Sequence, residues 1–251
     1  MELCRFFESN KKVALAFSGG ADSAYLLYMG KNCGADIRAY YVKTAFQPEF
    51  ELNDAKRLAA ELAVPLVVIE LNILEDEQIA ANSSDRCYQC KKRIFSTIKR
   101  KASEEGYEIL IDGTNASDKA EDRPGMRALS ELQIVSPLKI CGIDKEQLRE
   151  LSKAAGLFTW DKPAYSCLAT RIESERQITE AELSKVEAGE ELLMSMGFND
   201  LRIRLRGDRA VVQLQNKDLP KAQKNWEKLR AELENIFLKH SIELEGREKS
   251  A

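Results

Sequence analysis

The sequence lacks any long apolar run. No stretch approaches the roughly 20 consecutive apolar residues that cross a bilayer, which disfavours a membrane role. The N-terminal residues also lack the small-residue cleavage site of a signal peptide, so we expect a cytoplasmic protein in a reducing compartment. The net charge is only −3, which disfavours a surface dominated by nucleic-acid binding.

Histidine is almost absent, since His240 is the single one. Zinc sites draw mostly on cysteine and histidine, so a structural zinc would depend on cysteine and carboxylate ligands here. In a reducing compartment the six cysteines are expected to be thiols, metal ligands or catalytic groups rather than disulfides. We expect Cys4, Cys33 and Cys141 to be small buried hydrophobic residues.

The first half of the chain alternates short apolar runs with helical patterns. Near-continuous apolar strands separated by helices predict a parallel sheet that is covered on both faces. The predicted strands are 13–17, 37–42, 65–71, 108–114 and 134–138, and the predicted helices are 22–30, 51–63, 89–105 and 142–156. The fold class is therefore α/β, a doubly wound parallel sheet with its sites at the carboxyl ends of the strands.

The pattern changes near residue 170. A helix over 179–196, a hairpin formed by LRIRLR and AVVQLQ, and a charged helix over 217–239 predict a small α+β unit. We therefore expect two domains, 1–170 and 171–251.

The stretch SGGADS, residues 18–23, lies where the first strand turns into a helix. Glycines let the backbone approach a ligand closely, and the N–H groups at a helix N-terminus attract an anion, so the stretch is interpreted as a phosphate-binding turn. Neither GxxxxGK[ST] nor GxGxxG occurs, so it is not a Walker A loop or a dinucleotide fingerprint. The alternative is a capped helix after a tight turn.

SGGxDS after a first strand resembles the signature of the PP-loop ATP pyrophosphatases, which cleave ATP between its α and β phosphates. The resemblance implies that ATP and Mg²⁺ are cofactors. It implies further that pyrophosphate is held by Ser18, Gly19, Gly20 and Ser23, while Asp22 helps to organise magnesium.

Two later segments carry the rest of the implied nucleotide site. The second strand ends in YYVKT, which would lie near adenine, and DGTN would lie near the ribose and the α-phosphate. The stretch DGTNASDKAEDRPG also contains an arginine that could neutralise phosphate. The candidate residues of these segments are Lys43, Gly113, Thr114, Asn115, Asp118 and Arg123.

Adenylation creates an electrophile, and cysteines are the candidate nucleophiles. Cys87 and Cys90 form a CxxC pair, and Cys167 lies in PAYSCLATRI at the predicted domain junction, followed by Arg171. A thiolate is favoured where cations surround it. The three cysteines could hold an iron–sulfur cluster with one open iron, hold zinc together with Cys141 or a carboxylate, or stay uncomplexed.

SGGADS, DGTNASDKAEDRPG and PAYSCLATRI together resemble the LarE family over most of the chain. The resemblance implies a homo-oligomeric ATP-dependent sulfur transferase. Its substrate is a pyridinium carboxylate mononucleotide that is adenylated and converted to a thiocarboxylate during nickel-pincer nucleotide synthesis. Some members sacrifice the cysteine at the position of Cys167, which becomes dehydroalanine. Cys87 and Cys90 match the subgroup with a [4Fe-4S] cluster on three cysteines, in which Cys167 is a ligand.

The second predicted domain contains two further candidate features. In LRIRLR the alternation places Arg202, Arg204 and Arg206 on one face of a strand, where they repel each other unless an anion or acids lie opposite. They could instead be exposed, solubilising arginines, and the resemblance makes Arg202 and Arg204 ligands of the substrate phosphate. Glu190 falls on an apolar helix stripe, so it either pairs with an arginine or faces the active site as a base or magnesium ligand.

Three other functions compete with sulfur transfer to a mononucleotide. The basic run over residues 86–101 leaves a PP-loop tRNA thiolase open, although the acidic net charge disfavours it. A ligase of the NAD-synthetase kind would not need the three cysteines. A non-catalytic ATP-binding module with structural zinc is the competing function from outside the enzymes.

Overall fold

A computed structural model describes residues 3–118 and 124–248 of the chain. The chain divides into two compact units. Unit 1 comprises residues 1–44, 49–72 and 85–162, and unit 2 comprises 45–48, 73–84 and 163–251. The structural division thus lies between residues 162 and 163, and unit 2 also takes two short segments from the first half of the chain. The assignment of functional domains at residue 170 stays a prediction.

Unit 1 is built around a parallel sheet, as predicted. Its strands are β1 (Lys12–Ala16), β2 (Asp36–Lys43), β3 (Leu66–Glu70) and β4 (Ile109–Ile111). They lie in the order β3-β2-β1-β4, and every neighbouring pair is parallel. The register pairs Leu15 with both Ala39 and Ile111, so the carboxyl ends of β1, β2 and β4 meet at one edge of the sheet.

Helices cover both faces of this sheet. They are α1 (Leu3–Ser9), α2 (Ala21–Asn32), α3 (Glu49–Glu61), α5 (Arg86–Glu104), α6 (Pro124–Glu131), α7 (Pro137–Ile140) and α8 (Lys145–Ala154). Consecutive residues of a strand pack on opposite faces of the sheet. Leu15 and Tyr41 belong to one apolar cluster, and Ala14 and Tyr40 belong to the other. Burial on both sides explains why these strands are continuous apolar runs in the sequence.

One predicted strand of unit 1 is wrong. Residues 134–138 form only a single parallel bridge, between Val135 and Ile111, and the chain then enters α7 with Pro137 in its first turn. Proline is tolerated in the first turn of a helix but cannot donate to a strand ladder. The helix α1 lies outside the predicted elements altogether.

Unit 2 contains a second, smaller sheet, which confirms an α+β unit. Its strands are β5 (Leu201–Arg206), β6 (Arg209–Gln215) and β7 (Ser241–Arg247), and its helices are α4 (Glu77–Ala80), α9 (Glu180–Ser195), α10 (Leu219–Lys224) and α11 (Trp226–Phe237). Strands β5 and β6 form the predicted antiparallel hairpin. The predicted helix over 217–239 is wrong in detail, because it is divided at Asn225. Strand β7, which was not predicted, pairs in parallel with β6.

One expectation about the cysteines is wrong. Cys4 at the start of α1 and Cys33 at the end of α2 form a disulfide, so they are not the two buried thiols that the sequence predicts. The bond joins helices that lie side by side in unit 1. Cys87, Cys90, Cys141 and Cys167 are outside any disulfide. Across the described ranges, none of the helices is both long and apolar enough to cross a membrane.

Candidate active site

The SGGADS turn connects β1 to α2 and needs glycine for two reasons. Gly19 has φ +72°, which side-chain-bearing residues rarely adopt. A Cβ at Gly19 would also lie 3.0 Å from the carbonyl oxygen of Glu51 on α3. Gly20 is the N-cap of α2 and brings no capping side chain, so the first N–H groups of the helix point out of its N-terminus. This is the geometry that binds anions.

Two serines close the turn on itself. The hydroxyls of Ser18 and Ser23 lie 3.1 Å apart, and the N–H of Gly20 donates to Ser18 Oγ at 3.3 Å. Ser23 Oγ in turn donates to the carbonyl oxygen of Gly20 at 3.2 Å. Ser18 is exposed whereas Ser23 is buried. The turn is therefore held by its own polar groups and presents Ser18 to solvent.

The DGTN segment follows β4 and meets the SGGADS turn. Asn115 Nδ2 donates to Asp22 Oδ1 at 2.7 Å, across 93 residues of sequence. A Cβ on Gly113 would lie 3.1 Å from the Asp22 Cβ, so a side chain there would push the two motifs apart by a few tenths of an ångström. Thr114 Oγ1 donates to Asp112 at 2.5 Å, which fixes the segment at the end of its strand. The structure thus brings together the two motifs that the sequence singled out.

The surroundings of Asp22 disfavour its charged form. Burial raises the pKa of the Asp22 carboxyl above its ordinary value, and the hydrogen bond from Asn115 offsets part of that rise. The nearby carboxylate of Asp118 raises the pKa further, while Lys145 lowers it. Asp118 itself accepts from the N–H of Asn115 at 3.1 Å. Two acidic side chains therefore share the edge of this turn, which is an environment that favours a bound cation.

The remaining candidates of unit 1 lie at the end of β2, at the start of α5 or outside the described residues. Lys43 ends β2, the parallel neighbour of β1, and its ammonium group lies 3.1 Å from Glu49. Arg123 lies outside the described residues. Cys87 and Cys90 lie at the start of α5, and Arg86 donates to Cys87 Sγ at 3.4 Å.

Cys167 lies in unit 2, where an arginine organises its segment. Cys167 is the N-cap of a 3-10 turn, Leu168–Arg171. Arg171 Nη1 donates to the carbonyl oxygen of Ser166 at 3.1 Å and to Thr170 Oγ1 at 2.9 Å. The guanidinium thereby holds the chain on both sides of Cys167, and it lies close enough for its charge to interact with the sulfur. A cation in this position stabilises a thiolate.

Glu190 is the buried counter-ion of Arg171. Its carboxylate accepts from Arg171 Nε at 2.7 Å and Nη2 at 3.2 Å, from Tyr165 Oη at 2.5 Å and from the N–H of Ile203 at 2.8 Å. Glu190 and Arg171 are each only 1% exposed. Burial alone would lower the pKa of Arg171, but the hydrogen bond and charge of Glu190 outweigh burial and raise it. Of the two roles that the sequence allows for Glu190, pairing with an arginine is the one present.

The arginine face of β5 forms as the alternation predicts. Leu201, Ile203 and Leu205 are buried, while the three arginines between them are half-buried. Burial lowers the pKa of Arg202 and Arg204, and repulsion from neighbouring arginines lowers it further. The buried Nε of Arg204 finds no hydrogen-bond partner among the described residues. The face therefore concentrates positive charge that an anion would stabilise.

Sequence patterns do not reveal Arg247, which contributes to the same arginine face. Its charge acts on both Arg202 and Arg204. Arg247 ends β7 and is ion-paired with Asp200, which also accepts from Gln215 Nε2 at 2.5 Å. The segment SIELEGR alternates only weakly between apolar and polar residues, so no periodic signal predicts this role of Arg247. Arg247 joins the arginine face only because its strand, β7, pairs within the same sheet.

Comparison with known proteins agrees with these motifs. The family model described as thiamine biosynthesis protein (ThiI) matches residues 7–195. A pyridinium-3,5-bisthiocarboxylic acid mononucleotide synthase from Lactiplantibacillus plantarum is 31% identical over 206 residues, which are 81% of this chain and 75% of that protein. The chain belongs to the LarE family of PP-loop proteins. It is accordingly an ATP-dependent sulfur transferase.

Further relatives of this LarE-family enzyme differ in how much of the chain they match. An uncharacterized protein of Synechocystis is 35% identical over 217 residues, covering 84% of this chain and 80% of the relative. A tRNA-specific 2-thiouridylase from Pseudothermotoga lettingae is 29% identical over 188 residues, covering 60% of this chain and 54% of the relative. The likeness to the mononucleotide synthase thus extends over more of both chains than the likeness to the tRNA enzyme.

Proposed function

We propose that this enzyme uses ATP to adenylate a carboxylate of a pyridinium mononucleotide, releases pyrophosphate, and converts the carboxylate to a thiocarboxylate in nickel-pincer nucleotide synthesis. The observation that carries the proposal is the hydrogen bond between Asp22 and Asn115, which joins the two PP-loop motifs. The name of the Lactiplantibacillus relative supplies the identity of the product.

In unit 1 the SGGADS turn binds the phosphates of ATP. The N–H groups of the first turn of α2 and the exposed hydroxyl of Ser18 receive the pyrophosphate portion. Lys43 is proposed to lie near the adenine of ATP, and Arg123 is proposed to neutralise phosphate. Holding pyrophosphate as a leaving group stabilises the negative charge that develops when the α-phosphate is attacked.

The residues around Asp22 fit Mg²⁺. This ion prefers oxygen ligands and is commonly held by one or two carboxylates together with substrate phosphates. Asp22 and Asp118 supply such carboxylates, and desolvation raises the pKa of half-buried Asp22, an effect that a bound cation would offset. When bound, Mg²⁺ would neutralise phosphate charge and polarise the α-phosphate.

In unit 2 the arginine face binds the phosphate of the mononucleotide. Arg202, Arg204 and Arg247 repel each other, and a phosphate would pair with them through charge-assisted hydrogen bonds. The ion pair between Arg247 and Asp200 positions that third arginine. Cys167 belongs to the same unit as these arginines.

Two routes for the sulfur are proposed. In the first, Cys87, Cys90 and Cys167 hold a [4Fe-4S] cluster, a donor set that fits because all three are thiols outside any disulfide. Such a cluster would supply an open iron for an exogenous sulfide. In the second, Cys167 gives up its own sulfur and becomes dehydroalanine. No group of three or more metal-ligating side chains is found in the described part of the chain, so the cluster rests on donor chemistry alone.

Pyrophosphate release tests the adenylation. We expect release from ATP to depend on the pyridinium mononucleotide. Ser18→Ala and Asp22→Ala should each lower the rate by about 100-fold, because Ser18 is proposed to donate to the charge that develops on pyrophosphate and Asp22 to hold the Mg²⁺ that neutralises it. Ser96→Ala, on the exposed side of α5, is the matched control and should react like the wild type. Unchanged release by the Ser18 and Asp22 variants would contradict the site.

Metal analysis and intact mass separate the two sulfur routes. Anaerobically purified protein should contain iron and sulfide that Cys87→Ala, Cys90→Ala or Cys167→Ala each removes. If Cys167 is sacrificed instead, the chain loses about 34 Da on turnover, the mass of hydrogen sulfide. Colourless wild-type protein that keeps its mass through several turnovers would contradict both routes.

A tRNA thiolase is the second candidate, favoured by the thiouridylase relative and the basic helix α5. Several cations of that helix already have partners within the protein. Lys92 contacts Glu131, Arg100 contacts Glu104, and Lys99 donates to the carbonyl oxygen of Leu132. Paired cations bind phosphate less strongly. Tight binding of tRNA that weakens steeply with salt would revive this candidate.

The ligase and the non-catalytic module each differ from a sulfur transferase in one measurable property. Activity that survives removal of all three cysteines would point to a ligase of the NAD-synthetase kind. Zinc without iron, together with ATP that is bound and never cleaved, would point to a non-catalytic module. The homo-oligomer stays a prediction, which sedimentation of the purified protein can check.

A further inference from the structure

Unit 1 contains a cavity that the proposed function does not use. It has a volume of about 800 Å³ and lies among α1, α2, α8 and the turn that precedes α8. Its walls are mainly apolar, with Met29 and Ile143 among them, and Glu150 supplies a carboxylate. A space of this size admits a small organic molecule.

Sulfur chemistry distinguishes this cavity. Cys4 and Cys141 both line it, and Cys4 is disulfide-bonded to Cys33 whereas Cys141 is a thiol. Cys33 and Cys141 also pack against the same apolar cluster. A disulfide-bonded cysteine and a thiol cysteine therefore line one cavity, and thiol–disulfide exchange proceeds when a thiolate reaches a disulfide sulfur.

We propose that this cavity is a thiol–disulfide exchange site for a low-molecular-weight thiol, at which Cys4 changes its disulfide partner from Cys33 to Cys141. The thiolate of the small thiol attacks Cys4 Sγ, the Cys4–Cys33 bond breaks, and its electron pair leaves on Cys33, which takes up the proton. Cys141 then attacks Cys4 Sγ, forms the Cys4–Cys141 bond and releases the small thiol. One disulfide is present before and after, so no net oxidant is consumed.

The exchange is coupled to the nucleotide site through short links. The carbonyl oxygen of Ile143, two residues from Cys141, accepts from the N–H of Ala116 at 2.9 Å. Ala116 follows Asn115, which holds Asp22. A bond from Cys4 to Cys141 ties this turn to α1. At the same time it frees Cys33, the C-cap of the helix whose N-terminus carries Asp22.

The rate of exchange follows from the surroundings of Cys141. Burial raises the pKa of the Cys141 thiol, so the reactive thiolate is a minor species at neutral pH. Exchange is therefore slow, on the scale of minutes to hours that is usual for uncatalysed rearrangement. The small thiol sets the rate of this exchange, whereas the ratio of the two disulfides depends only on their relative stabilities.

The chemistry is tested with Cys33→Ser, which leaves Cys141 as the partner for Cys4. The variant is equilibrated in a glutathione redox buffer, remaining thiols are alkylated, and the cross-linked peptides are identified by mass spectrometry. We expect a Cys4–Cys141 peptide, and only a Cys4–glutathione adduct in the control that carries both Cys33→Ser and Cys141→Ser. A Cys33→Ser protein that never shows the Cys4–Cys141 peptide would overturn the proposal.

The coupling is tested on the same protein without any sulfur transfer. The dissociation constant of a non-hydrolysable ATP analogue is measured for cross-linked Cys33→Ser before and after reduction with dithiothreitol. We expect a change of about fivefold or more, the lower range of measured coupling between sites. The double variant should show no change on reduction. Equal affinities of the linked and reduced forms would overturn the coupling, whereas the assignment of the sulfur transferase would be unaffected.

Discussion

Replacing Glu190 with glutamine should destabilise unit 2 severely. The change keeps the shape of the side chain but removes the charge that neutralises Arg171. Glu190 accepts four hydrogen bonds, and both residues are 1% exposed, so water cannot replace the lost interaction. Removing one partner of a buried ion pair typically costs about 3–5 kcal/mol, because the other charge stays buried. We expect a loss of about 4 kcal/mol in the free energy of unfolding.

Urea unfolding measures this loss within unit 2. In a Trp160→Phe background, Trp226 of α11 is the one remaining tryptophan, and its fluorescence reports the unit that contains Glu190. Glu191→Gln removes the same charge from the neighbouring, exposed position of α9 and serves as control. The control should change the free energy of unfolding by less than about 0.5 kcal/mol.

A double-mutant cycle isolates the pair. Arg171→Met alone leaves a buried carboxylate, whereas the double variant carries no buried charge and should recover about 2 kcal/mol relative to the sum of the single variants. The ion-pair explanation is refuted if Glu190→Gln is no more destabilising than Glu191→Gln. Additive single and double variants would refute it as well, because the pair would then contribute no coupling.

Three further predictions concern the two proposed binding surfaces. Gly19→Ala should strain the turn by about 1–2 kcal/mol and weaken ATP binding about tenfold in calorimetry. Gly34→Ala, at a similar positive φ but in open space, should leave ATP affinity unchanged. Asn115→Ala removes a bond that lowers the pKa of Asp22. On acidification, the Mg²⁺-dependent affinity for ATP should therefore fall at a higher pH in the variant than in the wild type. An unchanged pH midpoint of this fall would contradict the prediction. Arg204→Met should raise the thermal midpoint of unfolding, because burial and repulsion already disfavour that charge. Inorganic phosphate should stabilise the wild type more than this variant, and equal phosphate responses would contradict the anion site.

Much of the fold could be predicted because it depends on local periodicity. Continuous apolar runs predicted β1 to β4, and two-residue alternation predicted the arginine face of β5. Both signals arise from burial that each strand experiences along its whole length. Residues 134–138 misled the prediction because a short apolar run containing proline serves equally well as a bridge and a helix start.

The motifs of the candidate site were also evident in the sequence, since glycine and small polar residues at a strand-to-helix turn have few structural uses. The order of the strands in the sheet brings the two motifs together. Strands β1 and β4 are parallel neighbours, so their carboxyl ends place Asp22 beside Asn115 although 93 residues separate them. No pattern in either segment encodes that distance.

The sequence by itself determined the α/β class, the glycine-containing turn after the first strand, the strand of alternating arginines and the positions of the candidate cysteines. Only the tertiary structure decided the partners of these groups: Arg171 for Glu190, Asp200 for Arg247, and Cys33 for Cys4. The physical reason is that periodicity reports which face of an element is buried, whereas ion pairs and disulfides depend on which distant elements pack together.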